Sequence, residues 1–377
     1  MTGTRKARVT FVQPYLTAYR LPFYARLADE LARRGIELTV AHGAPTGDWV
    51  ARRDNVVLPG AVELPQRDWL LGSRRIVWRP LAGLARSCDA LVLPQALNQL
   101  DAYPLLARRR RSTPVALWGH GRTHCVRHGA AARWTKAALT RRADWFFAYT
   151  DAGGEYAVRA GVPPQRVTVV RNALDTTALA AASNAVTEAE LTAVRERYGL
   201  TPGLTGLYIG GLDRHKRIPY LLTAAKEIAR RVAGFRLLVA GDGAERDLVA
   251  AAGGAVIHVG PAHGRDKALL GAAADIMLAP GAVGLCVVDS FALATPLVTC
   301  VWPFHGPEFD YVEDGRNALV VDGDTDRYAA AVAGLLLRPE RLAQLRQACR
   351  ADATRYTVED MAARFVPGLE ALVRGDA

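Results

Sequence analysis

Three short stretches in the second half of this chain put glycines, cations and a carboxylate where a polyanion can be held. The first is YIGGLDRHKR, residues 208–217. A β-type run meets Gly210 and Gly211, then a turn with Arg214 and Lys216, then a helix-like pattern over 218–231. Lys216 therefore falls near a helix start just past a strand, where unpaired N–H groups and a lysine can hold a phosphate. A glycine pair followed by charges is also an ordinary surface turn. The second stretch is Gly241-Asp242-Gly243, leading into another helix. The third is Gly281, Ala282, Val283, Gly284 and Leu285, with Asp289 about a turn into the next helix. Three glycine-bearing strand–helix turns on one sheet edge make a floor for a diphosphate and a nucleoside, with Asp289 accepting ribose hydroxyls. Any α/β domain needs such turns; Arg214 and Lys216 favour the ligand reading.

The first half carries other candidates. His120 lies in GHGR, residues 119–122, just past the buried run PVALW. Functional groups gather beyond the carboxyl ends of parallel strands, although a lone histidine is more often structural. Tyr15, Tyr19 and Arg20 follow the first strand, RVTFVQ, and are candidates for a second substrate; each equally suits packing or surface. No glycine-rich dinucleotide fingerprint follows that strand. Four arginines, 108–111, and a helix over 130–142 with Arg133, Lys136, Arg141 and Arg142 suit an anionic membrane or simply water.

The elements that position these groups alternate in type. In the first half, strands are read at 8–13, 37–41, 89–94, 114–118, 145–149 and 166–170. Helices are read at 21–34, 103–111, 130–142 and 152–160, the last capped by Thr150 and Asp151. Residues 48–79 read as irregular, with short strand candidates at 56–58 and 76–78. A small-residue stretch, 181–187, suits a linker. The second half repeats strand and helix through 297–301 and ends in helices at 324–337, 339–353 and 357–373. This is α/β order with parallel sheets covered on both faces.

With 377 residues and 50% hydrophobic residues, the chain suits two α/β domains. Its net charge of +11 is uneven: residues 1–186 carry +14 and residues 187–377 carry −3. The basic half suits an anionic acceptor, a membrane or nucleic acid, and equally a plain arginine-rich surface. Five cysteines without a CxxC pair argue against a disulfide framework and fit a reducing cytoplasm. No signal peptide, transmembrane run or clustered metal-ligand set is read, so no metal and no cofactor is expected.

Six blocks together resemble the family-four retaining glycosyltransferases. They are VTFVQPYLTAYRLPFYARLADELARRG, RVTVVRNALD, YIGGLDRHKRIPYLLTAAKEI, LLVAGDGAERDLV, ADIMLAPGAVGLCVVDSFALATPLV and GPEFDYVEDGRNALVV. The resemblance implies an α/β GT-B fold, with two Rossmann-like domains facing each other across a cleft. The expected divisions are 1–180 for the acceptor, 181–355 for the nucleotide sugar, and a C-terminal helix, 356–377, packing back. It implies transfer of a sugar, with retention, from a nucleoside-diphosphate sugar to an acceptor hydroxyl; the basic first half favours a sugar- or lipid-linked acceptor, a lipid-linked glycan or a polysaccharide at the inner membrane face, with a small natural product as the alternative. It implies that Lys216 and His120 contact the diphosphate or the transferred sugar. The family's arginine falls on Gly211, and Arg214 can replace it from within the loop. The family's paired glutamates fall on Gly281 and Asp289. Asp289 can still hold ribose; Gly281 cannot make the first glutamate's side-chain contacts with the sugar. Loop amides of 282–285 are then expected to meet the phosphate or sugar. The rivals are a degenerate scaffold binding nucleic acid or membrane, and an epimerase or phosphorylase of the same fold; no nucleic-acid motif supports the first.

Overall fold

A computed structural model describes residues 6–47, 50, 54–72, 74–107, 112–122 and 129–376. The chain divides into two compact units, residues 1–172 with 358–377, and residues 173–357. Each is a parallel sheet between helices.

The first unit is built on β1 (Ala7–Gln13), β2 (Ile36–His42), β3 (Val62–Glu63), β6 (Ala90–Pro94), β7 (Val115–Gly119), β8 (Trp145–Ala148) and β9 (Val167–Val169), in the order β3-β2-β1-β6-β7-β8-β9. Every pairing is parallel. Central strands read as continuous apolar runs because both faces are covered. Thus Val9, Phe11 and Val12 are fully buried. The C-terminal helix Val358–Arg374 belongs to this unit and packs on the helix Leu21–Ala32 and on β1, β6, β8 and β9. Its Phe365 ring lies 5.6 Å from Phe11, 5.3 Å from Phe23 and Trp118, and 4.5 Å from Phe147. Truncating such a ring to alanine costs about 3–5 kcal/mol. The last segment of the chain therefore completes the core begun by the first.

The second unit holds β10 (Thr205–Ile209), β11 (Arg236–Ala240), β12 (Val256–Gly260), β13 (Ile276–Ala279), β14 (Leu297–Cys300) and β15 (Ala318–Val321), in the order β12-β11-β10-β13-β14-β15, again all parallel. Strand order reverses between β10 and β13, which opens a crevice at their carboxyl ends. The helices Ile218–Arg231 and Pro339–Ala353 match the expected spans.

Several expectations change. Residues 56–58 form no strand; the Val56 amide instead donates to the Leu16 carbonyl at 3.2 Å. The nearby regular structure is an antiparallel ribbon, β4 (Arg67–Leu71) on β5 (Arg74–Trp78), apart from both large sheets. The supposed linker is mostly helix, Thr176–Asn184, because its alanines favour helix and Asp175 caps it through Oδ1 to the Ala178 amide at 3.0 Å. The chain passes between units at Asn172–Ala173 instead. Thr150 sits at an N-cap but its side chain makes no capping bond. The short strand β15 escaped the sequence reading altogether. Arginines 108–111 lie outside the described residues.

Lys136 also departs from expectation. It is buried, not on a wet or lipid-facing surface, with its ammonium 6.0 Å from the Tyr156 ring centre. Burial pushes its pKa down to about 8. The unfolded chain therefore binds this proton more tightly than the folded one between pH 8 and the ordinary lysine value. Stability gains as pH rises through that window, and below it the full penalty of the buried charge is constant. Lys136→Met should raise Tm at pH 7 by a few degrees, up to about 3 kcal/mol of stabilisation, with the advantage shrinking by pH 10. Thermal melts at both pH values check this; an equal shift at both would contradict it.

Candidate functional site

The β10 and β13 loops meet over the crevice and are fastened by main-chain and cationic bonds. Beyond β10, a tight 3-10 turn, Arg214–Lys216, precedes the helix starting at Ile218. The Ala282 amide donates to the His215 carbonyl at 2.9 Å. Lys216 Nζ donates to the Ala282 carbonyl at 2.5 Å, and Arg217 Nη1 to the Pro280 carbonyl at 3.1 Å. Arg217 is held in the left-handed region, φ 56°, with its guanidinium 4.1 Å from the Tyr220 ring centre and 4.4 Å from that of Trp302. A non-glycine residue stays there only when its surroundings compel it.

This closure explains Gly281. A Cβ there would lie 2.6 Å from Lys216 Cα and nearer still to that residue's carbonyl group. The Lys216 main chain fills the space that any side chain at 281 would need. The glycine is thus a requirement of the loop contact, beyond being a missing carboxylate. On the other side of β10, a Cβ on Gly241 would overlap the Gly210 carbonyl. There the Leu212 amide donates to the Asp242 carbonyl at 2.9 Å, and the Glu245 amide to the Leu212 carbonyl at 2.8 Å. Asp242 Oδ1 accepts from the Gly243 amide at 2.8 Å. All three glycine turns are therefore brought together at one edge, around β10.

The expected loop amides are only partly presented. Those of Ala282 and Val283 are spent inside the protein, on His215 and on His305 Nδ1 at 3.1 Å. Gly284 and Leu285 are half-buried. Arg214 is exposed on its turn. Asp289 is buried one turn into the helix Cys286–Ala292, and its Oδ1 accepts from Lys267 Nζ at 2.5 Å. That partly buried ion pair fixes the carboxylate and leaves Oδ2 as its second acceptor.

In the first unit, His120 lies exposed in the turn after β7, its ring 4.5 Å from that of Tyr149 and roughly perpendicular to it. Arg20 is buried beneath this pair. Its Nη1 donates to Asn172 Oδ1 at 2.7 Å and its Nη2 to the Tyr149 hydroxyl at 3.4 Å, and the guanidinium lies 4.7 Å from the Trp118 ring centre. It braces Tyr149, and through it His120. Tyr19 is exposed and Tyr15 half-buried. The GHGR turn, 119–122, lies within the described residues, which break off after Arg122.

Lys267, Arg217, His305 and Glu308 were not assigned from sequence. The signal for the last two was present: a histidine and a glutamate flank Gly-Pro shortly after β14. Among the described residues, no group of three or more His, Cys, Asp or Glu gathers to hold a metal, and no helix is long and apolar enough to cross a membrane. A cavity of about 480 Å³, lined by Arg195, Asp275, Arg346 and Arg350, lies at the opposite, amino-terminal edge of the second sheet, away from the three turns.

Comparison with known proteins bears on this arrangement. A family profile described as "Glycosyltransferase Family 4" matches residues 23–178, and one described as "Glycosyl transferases group 1" matches residues 203–338. A curated relative, the α-D-kanosaminyltransferase of Streptomyces kanamyceticus, is 30% identical over 190 residues, 47% of this chain and 48% of that one. The chain thus spans about half the length of the curated relative it matches. A glycosyltransferase from Rickettsia africae has a similar structure, with a TM-score of 0.71 at 11% identity, covering 99% of this chain and 100% of that one. Anabaena HepE in complex with UDP gives a TM-score of 0.68 at 16% identity, covering 97% and 100%.

The loop contact yields a direct test. Gly281→Ala should lower stability by about 1–3 kcal/mol through overpacking against Lys216. Gly281→Glu, which restores the family's residue type, should do worse and should not improve any nucleotide binding. Melting curves and UDP titration decide; an alanine variant as stable as the parent would refute the contact.

Proposed function

The chain is a family-four glycosyltransferase-like protein of the GT-B fold, and we propose that it transfers a glycosyl group from a uridine-diphosphate sugar to an acceptor hydroxyl. The observation that carries this reading is the meeting of the cationic turn 214–217 with the loop 280–285 at the strand-order reversal, with Asp289 one turn beyond. A diphosphate there faces Arg214 and Lys216. Asp289, steadied by Lys267, accepts a ribose hydroxyl. UDP in the HepE complex supports the choice of base.

The chemistry follows from charge. When the sugar–phosphate bond breaks, negative charge grows on the leaving diphosphate. Fixed cations stabilise that charge without reorganising at the moment of reaction. Lys216 can exchange the Ala282 carbonyl for a phosphate oxygen by rotation of its flexible stem, so the loop need not unfold. His120, steadied by Tyr149, is the first unit's candidate for a group that meets phosphate or sugar. Retention, expected from the family, is served by a front-side route in which a donor phosphate oxygen takes the acceptor proton.

The acceptor binds the first unit, with Tyr15 and Tyr19 as contacts. A lipid-linked acceptor is favoured by the ribbon β4–β5, where Trp69, Leu70 and Leu71 are 50%, 66% and 69% exposed. Consecutive strand residues face opposite ways, so apolar groups stand on both faces of this ribbon. The interface of a bilayer can take up such an apolar tip, which water covers poorly. Vesicles containing anionic phospholipid should therefore retain the protein, and the Trp69→Ser, Leu70→Ser double variant should release it. Equal retention of both proteins would remove the lipid reading.

Arg214 offers the cleaner test of the donor site, being exposed and outside the loop latch. Arg214→Ala should weaken UDP binding by roughly three- to ten-fold, the loss of one contact screened by water at an exposed arginine, with Tm of the free protein unchanged. Titration calorimetry reads the first and a melt the second. Unchanged affinity would remove Arg214 from the site; no binding of UDP by wild type would defeat the donor reading. Conversion of a UDP-sugar into an isomer without acceptor would point to the epimerase alternative.

A further inference from the structure

The geometry points to Glu308 as the residue that takes a hydroxyl of the transferred sugar, in the role that position 281 cannot fill. This inference rests on the donor reading above. If the β10–β13 crevice holds the nucleotide, the sugar end of the donor lies along the loop 281–284, where the family's first glutamate would reach it. No side chain fits at 281, because the Lys216 main chain stands in its place. A carboxylate for the sugar must then come from another segment.

The turn after β14 brings one. It is bolted to the donor loop at Val283, whose two peptide groups it bonds. The Val283 amide donates to His305 Nδ1 at 3.1 Å, and the Gly306 amide donates to the Val283 carbonyl at 2.6 Å. The network sets the histidine's tautomer: Nδ1 accepts, so Nε2 carries the proton and donates to the Cys300 carbonyl at 2.9 Å. The imidazole also stacks flat on Phe309, with centroids 3.9 Å apart and an angle of 3°. Burial holds the His305 pKa below its ordinary value, so this acceptor persists at neutral pH.

That bolt sets the Glu308 carboxylate beside the glycine of the loop. A Cβ on Gly284 would lie 3.6 Å from Glu308 Oε2, and one on Gly306 would lie 3.3 Å from it. Glu308 is 4% exposed, so it is not a solvated surface charge. The thiol of Cys286, raised first by burial, also feels Lys216, Asp289 and Glu308. One small side chain is thus within electrostatic reach of the proposed phosphate cation, the ribose carboxylate and Glu308. Glu308 stands against Gly284 and Gly306, beside the loop 281–284 along which the proposed donor's sugar would lie.

The test separates the sugar from the nucleotide. Wild type and Glu308→Gln are titrated with UDP and with UDP-glucose, UDP-galactose, UDP-N-acetylglucosamine and UDP-glucuronic acid. The conjugate that wild type binds best is the probe. In Glu308→Gln, affinity for UDP should stay within about two-fold, while affinity for the conjugate relative to UDP falls about ten-fold, the scale of one lost charge-assisted hydrogen bond. Glu308→Asp, which keeps the charge one methylene short, should show the same split and serves if the glutamine variant does not fold. A relative affinity unchanged from wild type overturns the proposal. So does a parallel loss for UDP and conjugate, the mark of a residue that only supports the loop, and so does a wild type that binds UDP but none of the conjugates. Wild type that binds no UDP at all defeats the donor reading instead, and the inference falls with it.

Discussion

The second unit depends on one main-chain contact, Gly281 against Lys216. Parallel strands β10 and β13 are neighbours in space but 66 residues separate the bonded groups of Lys216 and Ala282. Their loops leave the sheet side by side at the point where strand order reverses. Two peptide surfaces can touch there only if one lacks a Cβ. Once they touch, the remaining bonds follow: Ala282 to His215, Lys216 to Ala282, Arg217 to Pro280. The cationic turn is thereby held open-side up over the crevice. The backbone of the turn is ordered before binding, so that only side chains such as the Lys216 stem are left to reorder when a phosphate arrives. The left-handed Arg217 and the His305–Val283 bond serve the same end from either side.

The first unit shows the same logic with side chains. Arg20 is sunk among Trp118, Tyr149 and Asn172, with π faces and an amide oxygen against its guanidinium. Arg79 is fully buried and bonds Asp101 Oδ2 at 2.5 Å, the Gln13 carbonyl at 2.8 Å and Gln99. It ties the end of β1 to the segment after β6. Buried charges are tolerated only when hydrogen-bonded throughout, and removing one partner is costly. Both arginines brace the carboxyl-terminal edge of their sheet, where His120 emerges.

The alternation of apolar runs and 3.6-residue patterns made nearly every helix and strand legible, because each depends on local spacing. The helix 218–231 and the residues of β11 and β13 need no distant information. What escaped depended on contacts far along the chain. Gly281 read as a lost glutamate, since nothing local reveals that residue 216 occupies its side-chain space. Arg20 read as a ligand group, since its partner Asn172 is 152 positions away. Lys136 read as a surface charge, since helical spacing alone does not say which neighbour covers it. The linker was placed too late because alanine-rich composition fits a helix as well as a tether, and the Asp175 cap decides between them.

The most direct measurement is a crystal structure of the protein with UDP. The account predicts the diphosphate against the 210–216 turn, with Lys216 Nζ moved from the Ala282 carbonyl to a phosphate oxygen. It predicts a ribose hydroxyl on Asp289, and Gly281 still in van der Waals contact with the Lys216 main chain. UDP bound at the opposite edge of the sheet, or a loop 280–284 peeled from residue 216 to admit it, would contradict the account.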